Sequence, residues 1–153
     1  MNGKMAGKQL KKSAKTLSIA ESCTGGLLGH LLTSVPGSSD YFVGGIIAYN
    51  NRIKVSQLRV SKASLDKFGA VSEAVAKEMA KNVRRVFKTD LGVAITGIAG
   101  PKSDDSKKPV GLVYIAVADP KKIICKKFLF HGSRAQIKSN SAHSALKLLV
   151  SLL

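Results

Sequence analysis

The chain has 153 residues, 44% of them apolar, and a formal net charge of +16 from 25 Lys and Arg against 9 Asp and Glu. That length fits one compact domain over 1–153 with a full hydrophobic core, and the composition is that of a globular protein, not a disordered tail. No apolar run approaches the roughly 20 residues of a membrane span, and no apolar stretch of a secretory signal follows the basic start Met1–Lys8.

In chain order, residues 4–15 read as a basic, weakly amphipathic helix and 16–20 as a short apolar strand. Leu27, Leu28, Leu31 and Leu32 share one face of a helix over about 24–34, which Val35-Pro36-Gly37-Ser38-Ser39 breaks. A strand over 44–50 leads to a short helix holding Lys54, and a second short helix occupies about 61–68. Ser72 is placed to cap a helix over 73–87, with Val75, Met79, Val83 and Val86 as its core stripe. A strand over 91–96 ends in Thr96-Gly97-Ile98-Ala99-Gly100-Pro101. Strands 110–118 and 122–130 form a hairpin around Asp119-Pro120, and a helix over about 134–152 turns Ile137, Ala145, Leu148 and Leu149 inward. These elements predict an α/β fold, a three-layer sandwich whose mixed sheet is covered by helices on both faces.

The charge raises the prior for an anionic partner: nucleic acid, anionic lipid or a phosphorylated small molecule. Its distribution argues against a dedicated nucleic-acid reader. The lysines are dispersed as singles and pairs, and there is no Trp and no aromatic stacking ladder. A solvated basic surface is the simpler account. Cys23 and Cys125 have no CxxC spacing, so neither a disulfide framework nor a thiolate zinc site is indicated, and a reducing cytoplasm is the expected compartment. His30, His131 and His143 are isolated, which argues against a catalytic metal.

Ligands of α/β folds gather where strands hand over to helices, so three loops are candidates for one site. In the first, Ser22-Cys23-Thr24-Gly25-Gly26, a serine follows a strand and glycines let the backbone approach a ligand. Free N–H groups at a helix start would stabilise an oxyanion. The plainer alternative is a helix cap followed by a packing glycine pair. The second loop carries Tyr49 and Lys54. A serine hydroxyl needs a base, and a desolvated lysine, its pKa lowered toward ~7–8, can be that base. Tyr49 beside it could relay the proton or hold the lysine. The alternative is a surface lysine and a half-buried strand aromatic. In the third, Thr96 to Pro101, glycine spacing suits a phosphate held by backbone N–H groups, without the Lys-Ser/Thr ending of an ATP loop. Arg134 and Lys138, four residues apart, share a face near the start of the last helix and could clamp a phosphate, or could be a solvent-facing basic pair. Cys23 lacks a His partner and reads as a small buried residue rather than a rival nucleophile.

Six ordered segments carry a family resemblance: Ala20-Glu21-Ser22-Cys23-Thr24-Gly25-Gly26, Pro36-Gly37-Ser38-Ser39, Tyr49-Asn50, Gly69-Ala70-Val71-Ser72-Glu73, Thr96–Pro101 and Lys108-Pro109-Val110-Gly111. Together, over about residues 4–152, they closely resemble the CinA C-terminal domain family, whose characterised members are nicotinamide-nucleotide amidohydrolases. The resemblance implies hydrolysis of the carboxamide of nicotinamide mononucleotide to nicotinate mononucleotide and ammonia, in pyridine-nucleotide salvage. It implies Ser22, Tyr49 and Lys54 as the catalytic set, with no cofactor or metal. The substrate would be held by Cys23, Thr24, Gly25, Gly26, Ser38, Ser39, Thr96, Gly97, Ala99, Gly100, Arg134 and Lys138. A homodimer is also implied; many members carry a further N-terminal domain. Two departures stand out: Ser103-Asp104 replaces the family's glycine pair in loop 101–109, and Lys138 stands where arginine is usual, keeping the charge without the bidentate fork. The alternative function is a catalytically inactive basic module that binds nucleic acid or another anionic partner.

Overall fold

The computed structural model describes residues 2–104 and 106–153. Its elements run α1 (Gly3–Ser13), β1 (Leu17–Glu21), α2 (Leu27–Thr33), a 3-10 turn (Ser38–Asp40), β2 (Phe42–Ile47), α3 (Asn51–Ser56), α4 (Lys62–Phe68), α5 (Glu73–Phe87), β3 (Leu91–Gly97), β4 (Leu112–Ala118), β5 (Ile123–Leu129) and α6 (Arg134–Val150). The sheet order is β2-β1-β3-β4-β5. The first three strands are parallel, and β4 and β5 close the sheet as an antiparallel hairpin. The expected mixed sheet with helices on both faces is therefore present.

Strand alternation divides the core in two. Leu17, Ile19, Val93, Ile95, Val113 and Ile115 face α1, α2 and α6, whose Leu10, Leu28, Leu32, Ile137, Ala145 and Leu149 fill that layer. The opposite face offers Ala20, Ala94, Ala116 and Ala118 to Val75, Met79 and Val83 of α5. Small sheet residues let α5 sit close. A Cβ added to Gly92 would stand 2.2 Å from the Ala80 carbonyl oxygen, so that approach needs glycine.

Ser72 caps α5 as expected, its hydroxyl accepting from the Val75 N–H. The core stripe of this helix departs from expectation at its end. Val86 is 47% exposed, and Phe87 packs against Gly44 instead, because the stripe advances by four from Val83 and not by three. Helix α2 starts at Leu27 rather than about 24, since Gly25 and Gly26 take φ of +61° and +101° and form a turn. Strand β2 ends at Ile47, so Tyr49 lies beyond it. Among the described residues, no helix is long and apolar enough to cross a membrane.

Candidate active site

From β1 the chain crosses one face through α2 to β2, then returns over the other face through α5 to β3. The two connections diverge at the carboxyl end of β1, where such sheets leave a crevice. A cavity of about 340 Å³ lies there, lined by residues that follow β1, β2 and β3. That is within the range of small-molecule sites.

Ser22 is the first residue past β1, and its N–H donates to the Ile95 carbonyl at 3.0 Å. Alternation sends Glu21 toward α2 and Ser22 toward the opposite face. There the Ser22 Oγ meets the Nζ of Lys54 at 3.1 Å. Asn50 caps α3 by accepting from the Arg52 N–H at 2.8 Å, and this start turns Lys54 back under the end of β2. Lys54 is only 1% exposed. Its amine donates to the carbonyls of Ala48 at 2.8 Å and Tyr49 at 3.3 Å. Burial lowers its pKa from 10.5 to about 8, as desolvation disfavours the ammonium. A neutral amine has two N–H donors and one lone pair. With both donors taken by carbonyls, the lone pair is left for the Ser22 hydroxyl proton. Ser22 and Lys54, far apart in the chain, are thus brought into contact.

Of its two expected parts, Tyr49 fits that of holding the lysine. It orients Lys54 through its main-chain carbonyl, while its ring is 58% exposed and its hydroxyl accepts from the Arg134 guanidinium at 2.7 Å. Arg134 also donates to the Gly100 carbonyl at 2.5 Å. A capping box between Ser133 and Gln136 starts α6 at Arg134 and sets the guanidinium across the cavity mouth. Two of its five N–H groups have these partners, leaving three for a ligand.

Cys23, Thr96, Gly97, Ala99 and Gly100 line the cavity with Ser22, Tyr49 and Lys54. The Thr96 hydroxyl donates to the Ala70 carbonyl at 2.8 Å, so it can only accept from a ligand. Gly97 packs tightly: a Cβ there would meet Val113 at 2.7 Å. Among the described residues, the N–H groups of Ala99 and Gly100 have no acceptor in the chain. Burial pushes the Cys23 thiol up to about 11, which suppresses the thiolate.

The structure removes several expected contacts from the cavity. Thr24, which is fully buried, and Gly25 and Gly26 are not on the cavity wall. The Gly25 N–H donates to the Ser22 carbonyl at 3.1 Å, and Glu21 takes the Gly26 N–H at 3.1 Å. The helix start is therefore already occupied. Ser38 and Ser39 form the 3-10 turn before β2, whereas Tyr49 follows that strand. The length of β2 separates them from the cavity, so they do not line it. Lys138 is half-buried over the serine loop, with Nζ 3.7 Å from where a Gly25 Cβ would stand, one helical turn away from Arg134.

Sequence reasoning missed Glu21, whose buried carboxylate gives no local pattern, and the contribution of Ala70, Val71 and Lys102 to the wall. The cation directly after Gly100-Pro101 was the available signal for Lys102. Ser103 and Asp104 also line the cavity. The Ser103 hydroxyl donates to the Lys108 carbonyl, and Lys108 Nζ donates to the carbonyls of Phe68 at 2.7 Å and Val71 at 2.6 Å, tying the loop to the start of α5. Asp105 lies outside the described residues. Among the described residues no group of three His, Cys, Asp or Glu side chains is placed to hold a metal.

Comparison with known proteins places this geometry in context. The chain is 45% identical over 150 residues to a putative competence-damage inducible protein of Desulforudis audaxviator, covering 98% of this chain and 36% of that one. It is 59% identical over 116 residues to a CinA-like protein of Gloeothece citriformis, covering 76% and 28%. The chain thus spans about a third of the length of these relatives. Among solved structures, a CinA superfamily protein from Escherichia coli matches with a TM-score of 0.95 at 30% identity, covering 99% of this chain and 88% of that one. One from Klebsiella pneumoniae matches with 0.95 at 26% identity, covering 97% and 93%. The family model for the CinA C-terminal domain matches residues 3–153, and the chain belongs to that family.

Proposed function

We propose that this domain is a serine amidohydrolase that cleaves the carboxamide of nicotinamide mononucleotide to nicotinate mononucleotide and ammonia, a salvage step in the cytoplasm. The carrying observation is the buried Ser22–Lys54 contact at 3.1 Å, with the lysine's other donors held by carbonyls. In the first half-reaction Ser22 Oγ attacks the carboxamide carbon as its proton passes to Lys54. Among the described residues, the unclaimed N–H groups beside Ser22 are those of Cys23 and Thr24. Only Cys23 lines the cavity, so its N–H is the principal donor to the oxyanion. Lys54 then returns the proton to the nitrogen, the C–N bond breaks and ammonia leaves. Water attacks the acyl-enzyme with Lys54 again as base, releasing the carboxylate and restoring Ser22.

The phosphate requires a charged mouth. Arg134 and Lys102 line it, Lys138 stands nearby, and none of the three is ion-paired among the described residues. Wild-type protein is expected to release ammonia from nicotinamide mononucleotide and to turn over nicotinamide riboside poorly. Arg134→Ala is expected to raise KM for the mononucleotide about 10-fold or more, the worth of a charge-assisted hydrogen bond, with little change for the riboside. Steady-state kinetics on both substrates checks this. Folded protein inert toward both, yet binding nucleic acid with steep salt dependence, would make the basic-module alternative the better reading.

A homodimer through the β2 edge belongs to the same proposal. Val43 and Ile47 are 53% and 55% exposed on this edge strand, and 41–50 contains no charged residue. The other edge strand, β5, carries Lys126 and Lys127, so in a chain of +16 a second copy meets less repulsion along β2. Light scattering is expected to show a dimer that Ile47→Lys converts to monomer.

A further inference from the structure

We infer that Glu21 is a positioning residue for the nucleophile, holding the turn that carries Ser22 and the oxyanion donor in its reactive shape. The inference rests on the serine-amidohydrolase reading.

Glu21 is 1% exposed and has no cation partner among the described residues. A carboxylate removed from water must be compensated by hydrogen bonds. Here Oε2 accepts from the N–H groups of Gly26 and Leu28, each at 3.1 Å, and Oε1 accepts from that of Gly29 at 2.9 Å. Leu17 and Ile19, the other β1 residues on this face, are apolar core. An apolar residue at 21 would satisfy the packing pattern without burying a charge. A helix is also usually capped by the side chain at its own start, whereas the residue at that position is Gly26, which has none.

The placement of these bonds explains why a glutamate is there. The Glu21 backbone is fixed between β2 and β3: its neighbours in the ladder are Ile47 and Ile95, and its carbonyl accepts from the Ala48 N–H at 2.8 Å. Its side chain reaches the far end of the turn. The segment Ser22–Gly25 is thus bracketed by one residue anchored in the sheet and bonded to the helix. Gly25 and Gly26, at positive φ, supply the bend but little stiffness. By occupying the N–H groups at the start of α2, Glu21 also leaves Cys23 and Thr24 as the unclaimed donors beside the nucleophile, so it selects where an oxyanion can form.

The test compares wild type, Glu21→Gln and Glu21→Asp. Gln keeps the size but turns an N–H₂ toward backbone donors; Asp keeps the charge but withdraws it by one methylene. Two readouts are taken on protein whose folded fraction is measured by circular dichroism: ammonia release from nicotinamide mononucleotide, and the rate of covalent labelling at Ser22 by a fluorophosphonate. Glu21→Gln is expected to lower kcat and the labelling rate together by about 10²-fold, the effect of a displacement of about 1 Å at a reacting centre. KM and the pH midpoint of the activity should stay as in wild type, and Glu21→Asp should fall between. If Glu21→Gln does not fold, Glu21→Asp carries the same comparison. A merely structural role lowers the melting temperature but leaves the folded fraction reacting at the wild-type rate, and that result would overturn the inference. A wild type that labels but does not act on the mononucleotide sinks the substrate assignment and leaves the Glu21 comparison standing on labelling. A wild type that neither labels nor turns over overturns both.

Discussion

Ser22→Ala is expected to lower ammonia release from nicotinamide mononucleotide by about 10⁴-fold or more, as the loss of a covalent nucleophile does elsewhere. The reason is local. The Ser22 Oγ is the atom at the cavity floor in contact with the Lys54 amine, and Cys23 cannot replace it because its thiol is held protonated by burial. Folding should be nearly unchanged: the Ser22 backbone N–H still donates to Ile95, and Lys54 keeps its two carbonyl acceptors. A shift in stability within about 1 kcal/mol is expected for so small a truncation. Activity assays paired with thermal unfolding check both halves. Retained turnover in the variant would mean that Lys54 activates water directly and that no acyl-enzyme forms.

Lys54→Met should remove the base and lower kcat/KM by about 10³-fold, within the span assigned to general-base catalysis. Its signature lies in the pH dependence. In wild type, kcat/KM is expected to climb with pH through about 8 as Lys54 loses its proton, then level off; the variant should lack that limb. Stability carries the same information with a definite sign. Because the folded pKa is lower than the unfolded value of 10.5, the unfolded chain binds more protons between about 8 and 10.5. Stability from this group therefore rises with pH across that window. Below pH 8 the ammonium is buried at full penalty, so Lys54→Met, close in shape and uncharged, should be as stable as wild type or more so there. Denaturant melts at pH 7 and pH 10 should show the advantage of the variant shrinking as pH rises.

Much of the fold could be read from the chain because its signals are local. The Ser72 cap and the Val75, Met79, Val83 spacing define α5 from residue 73 to 87, and the Asp119-Pro120 turn marks the β4–β5 hairpin. The misreadings fall where neighbours decide. Val86 and Phe87 are both apolar, and it is Phe87 that packs, lying against Gly44. Ser38 and Ser39 were expected in the site from the family resemblance of Pro36-Gly37-Ser38-Ser39, yet they precede the strand whose other end holds the cavity.

The site divides in the same way. Ser22, Lys54, Thr96, Gly100 and Arg134 could be named from residue type and position, because strand-to-helix turns of α/β sheets collect functional groups. The sequence alone thus determined the fold class, the order of its elements and the chemical groups available. The division of labour between those groups was settled only in three dimensions. Hydrogen bonds join residues up to 85 positions apart, as between Tyr49 and Arg134, and which donor reaches which acceptor depends on the packed geometry. That is why Tyr49 holds Lys54 by its backbone and not by its hydroxyl, and why Glu21, a single acid inside an apolar strand pattern, proves to occupy the N–H groups at the start of α2.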